Sequence, residues 1–187
     1  MSSMENTDPA PLLPDLLAPG LDVIFVGAAP SLSAAASGHY YAGPTNRFWL
    51  LLYQAGFTPR QFRAEEDGEV LRYGIGLTGL FKHIASSANH LLPPPTETQR
   101  AHLREKLLAH APGFVCFNGK DVYALATGRL CMDWGEQEER IGEARVYVVH
   151  SSSARADFWG RERLALYKEL KELIGGWRAC QRSELHS

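Results

Sequence analysis

The sequence lacks a CxxC pair, a long apolar run, a basic leader and an excess of positive charge. Its three cysteines, Cys116, Cys131 and Cys180, stand far apart. A disulfide framework, a four-thiolate zinc site and a four-cysteine iron–sulfur cluster are therefore unsupported, and reduced cytoplasmic thiols are the simpler reading. No segment approaches the roughly 20 apolar residues that cross a bilayer. The N-terminal MSSMENTDPAPLLPDLLAPG has no basic region ahead of an apolar core, so it does not read as a secretory signal. These absences point to a soluble, cytoplasmic protein with no metal, no other cofactor and no membrane partner. A formal net charge of −2 gives no global sign of a nucleic-acid partner, yet it leaves a basic patch on one face open.

What is there fits one globular domain. The 187 residues are 45% hydrophobic, enough for a sizeable core. Residues 1–14, polar and Pro-rich, read as a flexible tail, 15–177 as the domain, and 178–187 as a fraying C-terminal tail. Four short apolar runs read as strands: LDVIFVG (21–27), YGIGLTGLF (73–81), GFVCFNGK (113–120) and ARVYVVH (144–150). Pro44 sits where a helix can begin, Phe48, Leu52 and Ala55 follow at helical spacing, and Gly56 is placed to end it. Thr96 and Gln99 have capping-box spacing, and Leu103 and Leu107 mark the buried face of a helix to about Ala109. The third strand leads into a helix ending near Gly128, a polar turn follows, and the last helix spans Arg161 to Ile174. This alternation, without a repeat or a domain-sized linker, predicts an α/β fold. It is a single three-layer domain with a short, mostly parallel four-stranded sheet and helices on both faces.

Ligands of such sheets sit outside the carboxyl ends of the strands. That rule selects four exits: Gly27–Ser33, Thr78–His83, Asn118–Lys120 and His150–Arg155. The first, GAAPS, offers no titratable group; its small residues let a ligand approach the backbone, although a tight structural turn explains them equally. Tyr40 and Tyr41 beyond it can form one wall of a pocket. The second exit offers Thr78, Lys82 and His83, which otherwise read as surface residues. At the third, Asn118 reads as a helix N-cap beside Lys120. The fourth, HSSSAR, combines a histidine, three hydroxyls and an arginine able to bind a phosphate and donate to a leaving group; a Ser-rich connecting loop is the alternative. A Ser–His hydrolase is disfavoured, since no GxSxG elbow is present.

DLLAPGLDVIFVG (15–27), GPTNRFW (43–49) with YQAGFTPRQ (53–61), GIGLT (74–78), FNGKDVY (117–123) and His150-Ser151-Ser152-Ser153 follow one another along the chain. In that order they resemble the mismatch-specific uracil/thymine-DNA glycosylases of the uracil-DNA glycosylase superfamily, over nearly the whole chain. The resemblance implies a monomeric base-excision enzyme that flips a uracil or related damaged or mismatched base, in a U·G or T·G mismatch or another lesion, out of double-stranded DNA. It would hydrolyse the N-glycosidic bond to leave an abasic site. Gly27, Ala28 and Ala29 then belong to the first base-binding motif, Tyr41 is the stacking aromatic, and Asn46 lies on the supporting helix. Ser151, Ser152 and Ser153 would clamp the DNA backbone, with Lys120 a further contact, and Ala154 and Arg155 would stand near the vacated space.

Three departures bear on chemistry. The family's water-positioning Asn is Ala29 here, the second motif has lost its proline and carries His150, and an acidic residue of some relatives is Gly79. Cleavage passes through a cationic sugar, so stabilising the departing base anion lowers most of the barrier. His150 is the expected group for that, with His39 a second candidate as a stand-in for the missing Asn or an ordinary loop histidine. The competing class is a weakly active or non-catalytic module that binds mismatches or abasic sites.

Overall fold

A parallel sheet covered on both faces needs strands that are apolar along their whole length. In the computed structural model, which describes residues 9–131 and 133–185, five strands form: β1 (Val23–Gly27), β2 (Ile75–Gly79), β3 (Phe114–Asn118), β4 (Gly135–Ile141) and β5 (Ala144–Val149). They lie in the order β2-β1-β3-β5-β4. The first four are parallel, and β4 joins β5 antiparallel. The α/β, three-layer architecture is therefore as the alternation predicts, with one strand more.

The extra strand corrects the reading of residues 128–143 as a turn. GEQEERI buries only its ends, Gly135 and Ile141, and is charged between them. No apolar alternation announces it, and its partner β5 together with a turn through Gly142 (φ 61°) places it.

Alternate strand residues feed two cores. Val23, Phe25, Ile75, Leu77, Phe114 and Tyr147 face one way, under α2 (Phe48–Gln54) and α5 (Gly160–Glu184). Ile24, Val26, Val115, Phe117, Val146 and Val148 face the other, under α3 (Glu97–His110) and α4 (Lys120–Thr127). Helix α3 begins at the expected capping box: Thr96 Oγ accepts from the Gln99 N–H at 3.1 Å, and Gln99 Oε1 from the Thr96 N–H at 2.9 Å. Leu103 and Leu107 are its buried residues.

Three boundaries differ from the sequence reading. A short α1 (Leu32–Ser37) is started by Ser31, whose hydroxyl accepts from the Ala34 N–H. Helix α2 starts at Phe48 rather than Pro44, because Asn46 Oδ1 caps the Phe48 N–H at 2.9 Å. Helix α5 passes through Gly175 and Gly176 to Glu184, well beyond Ile174. Tertiary contacts carry it: Trp177 packs edge-on against Phe114, and Arg178 Nε donates to Asp22 Oδ1 at 2.6 Å. Of the segment expected to be an N-terminal tail, residues 1–8 lie outside the described residues; Leu13 is buried and the Leu12 N–H donates to the Lys82 carbonyl. No helix among the described residues is long and apolar enough to cross a membrane.

Candidate active site

All four strand exits open into one cavity of about 970 Å³, near the top of the roughly 300–1,000 Å³ usual for ligand sites. After β1 the chain crosses to β2 on one side and later to β3 on the other, so the exits of β1 and β3 flank the switch point where such sheets bind ligands. Gly27, Ala28, Ala29, Tyr41, Asn46, Lys120, His150, Ser151, Ser152, Ser153 and Arg155 all line it. Ala154 and His39 do not.

One wall is built by packing. Tyr41 lies on Phe48 with ring centroids 3.8 Å apart, and Phe48 is fully buried against Phe25 and Trp49. The Tyr41 backbone is held at φ 54°, a left-handed conformation that costs a non-glycine residue about 1 kcal/mol or more. Burial pushes its hydroxyl well above the ordinary tyrosine range, while a hydrogen bond with Asn118 pulls the other way. Asn118 itself is not the helix cap that its position suggested; Gly119 occupies that place. Its amide instead reaches the fourth exit, Nδ2 donating to Ser152 Oγ and Oδ1 accepting from the Ser152 N–H, both at 2.9 Å. Thus Asn118 ties the exit of β3 to the loop after β5.

Gly119 is required here. Its φ is 130°, and a Cβ would come 2.4 Å from Asp121 Oδ1. Ala29 packs against the apolar cluster beneath α4 and brings no polar side chain to the cavity.

His150 is 4% exposed and lies between two indoles. Trp134 is 3.8 Å away by centroids, and Trp159 stacks on the other side at 5.2 Å and 13°. Desolvation lowers its pKa below the usual histidine value, and the cations Arg163 and Lys120 act in the same direction against Glu162. A neutral imidazole follows at neutral pH, able to donate one hydrogen bond without carrying charge.

The loop after His150 is held by charge. Arg163, on the buried stripe of α5 with Tyr167, Leu170 and Ile174, is only 4% exposed. Its Nη1 donates to the carbonyls of Ser151 and Ser153, each at 3.1 Å, and its Nη2 to Asp157 Oδ1 at 2.8 Å. Asp157 also receives Arg47 Nη2 at 3.2 Å, and the Arg47 N–H donates to the Ser152 carbonyl at 2.8 Å. Both guanidinium groups hold the Asp157 carboxyl below its usual range. An arginine at the i, i+4, i+7 spacing of an apolar stripe is the signal by which Arg163 could have been found; Trp134 and Trp159 gave none.

Thr78 and Lys82 also line the cavity, but both are spent on Asp15, at 2.6 and 2.8 Å, with Lys106 on its other oxygen at 2.6 Å. Burial would raise the Asp15 carboxyl; hydrogen bonds from Lys106, Lys82 and Thr78 bring it below the usual value. Lys82 is therefore not the surface lysine that it resembled. His39 points elsewhere, with Nδ1 3.3 Å from Asp67 Oδ1, while Asp67 Oδ2 accepts from the Tyr40 N–H. It serves to pin the tyrosine pair to the segment Ala64–Tyr73 rather than to reach the cavity.

Residues 14–174 match the model of the Uracil DNA glycosylase superfamily, and the chain belongs to that family. Its fold is similar to the solution structure of a "putative Uracil DNA glycosylase" from Methanosarcina acetivorans. The TM-score is 0.56 at 20% identity, over 85% of this chain and 96% of that one.

Proposed function

We propose that the chain is a monofunctional DNA glycosylase that flips a uracil or related base from a mismatch such as U·G into this cavity and hydrolyses its N-glycosidic bond. The observation that carries the reading is His150, buried and neutral between Trp134 and Trp159 at the mouth of a cavity that also holds Tyr41. The base stacks on the Tyr41 wall. As the C–N bond breaks, its electron pair moves onto the base, and His150 donates a hydrogen bond to the anion that forms. Water then adds to the cationic sugar, its hydroxyl going to the sugar and its proton to the base. With Ala29 offering no side chain to hold that water, leaving-group stabilisation bears most of the catalysis. Ser151–Ser153 and Arg155 meet the flanking phosphates as a preset loop.

Two lysines line the cavity. Lys82 is engaged by Asp15 and Lys120 lies over Trp134 at 4.5 Å, which supports a monofunctional product; borohydride trapping of protein on DNA would show otherwise. Single-turnover excision from a U·G duplex tests the assignment. His150→Ala is expected to lower the rate about 10²-fold, and unchanged excision would remove His150 from the mechanism. Ala29→Asn is expected to raise it by roughly the same order. The absence of a polar group at Ala29 favours a second reading, a module that binds without cutting. No cleavage of U, T, hypoxanthine or etheno-base duplexes, with tight binding to abasic DNA, would select it.

A further inference from the structure

The rim of the cavity carries aromatic surface that the proposed chemistry leaves unused. Phe158 is 87% exposed and Trp159 46%, although both lie in a well-fixed turn. Phe158 stands edge-on to Trp159 at 5.3 Å, Trp159 stacks on His150, and Trp134 continues the row on the far side. The turn Ala154–Trp159 starts at Ser153, whose hydroxyl accepts from the Arg155 N–H, and Asp157 in its middle is tied to Arg163 and Arg47. A phenyl ring kept this exposed on a rigid support is preorganised for a partner. Cations accompany it: Arg155 lines the adjoining cavity, Arg161 is exposed in the next turn, and Lys120 lies over Trp134.

We infer that Phe158 and Trp159 form a stacking platform for unpaired DNA bases beside the flipped nucleotide, so that the protein favours opened or single-stranded DNA over continuous duplex. The inference rests on the reading of the cavity as a site for a flipped base. Faces of paired bases are covered by their neighbours in the stack, whereas an unpaired base presents its face to any exposed ring. Row, cations and cavity mouth are continuous, so a strand whose one base enters the cavity passes its neighbours over Phe158. A wedge driven into duplex would need only apolar bulk; a platform needs a flat ring.

The test uses the full chain and a labelled 20-mer without any target base, so that its outcome is independent of whether the bond is cut. Affinities are measured by anisotropy for the single strand and for the same sequence in duplex. The wild type is expected to bind the single strand at least as tightly as the duplex. Phe158→Ala and Phe158→Leu should weaken single-strand binding roughly ten-fold and leave duplex binding within about two-fold, while Phe158→Tyr should retain wild-type affinity. Wild-type binding that favours duplex, an unchanged single-strand affinity in Phe158→Ala, or full rescue by Phe158→Leu would overturn the platform. Loss of excision with these binding results intact would instead overturn the glycosylase reading alone.

Discussion

The two walls of the cavity are held by opposite means. Around Tyr41, rings pack on rings, and a left-handed backbone is kept in place by a fully buried Phe48. Around Ser151–Ser153, backbone carbonyls are gathered by Arg163 and Arg47, with Asp157 between the two guanidinium groups. The first wall is part of the core, so its geometry is as stable as the molecule. The second is a wired loop, and its shape depends on charges that salt and pH can reach. Asn118, on the strand exit between them, holds the second wall through Ser152.

That contrast can be broken from either side. Phe48→Ala removes a ring touching Phe25, Tyr41 and Trp49 and is expected to cost about 4 kcal/mol of global stability, read by denaturant unfolding. Arg163→Ala leaves the Ser151 and Ser153 carbonyls without their side-chain donor and Asp157 with Arg47 alone; about 3 kcal/mol is expected. Here hydrogen exchange should report opening of residues 151–157 before the sheet, and simultaneous loss of both would mean that the loop is not separately wired. Tyr41→Phe, which keeps the packing and removes only the hydroxyl, should cost about 1 kcal/mol or less. Asp157→Asn is expected to have the smallest effect on stability of the four, and one that salt screens away.

The pH response sharpens the same division. Burial holds the His150 pKa below that of the unfolded chain. The unfolded state therefore binds the extra proton first, and the stability conferred by the neutral ring is fully present above the ordinary histidine value and is lost as pH falls from there through the lower folded value. Excision is expected to hold through pH 6.5 and fall on a limb below it; Trp134→Ala, by admitting water, should move that limb upward. An acid limb at or above the ordinary value in the wild type would contradict a desolvated ring.

The parts legible in the sequence were those that repeat a period or mark an end. The four parallel strands and the convergence of their exits followed from apolar runs and glycines, and the capping box at Thr96 from its spacing. Strand β4 was hidden because its stabilisation comes from β5 and its own residues are charged. Asn118 looked like a cap because the pattern at a helix start is local, whereas its actual partner, Ser152, is remote in sequence. His39 was placed by its nearness to Tyr40 and Tyr41, but adjacent residues point apart, and Asp67 claims it. Burial of His150 between Trp134 and Trp159 joins three distant positions, and no spacing rule encodes such a meeting.

Strand β4 also bears on how the molecule behaves in a crowded solution. A sheet edge is a row of unsatisfied amide and carbonyl groups that another chain can extend into a fibril. Here the edge residues Glu136, Glu138 and Arg140 face outward, and at the opposite edge Leu16 bridges to Leu77 of β2. A second molecule approaching β4 would have to strip water from those charges before gaining a single ladder bond, so the protein can expose aromatic rings at its cavity mouth without offering a template for edge-to-edge growth.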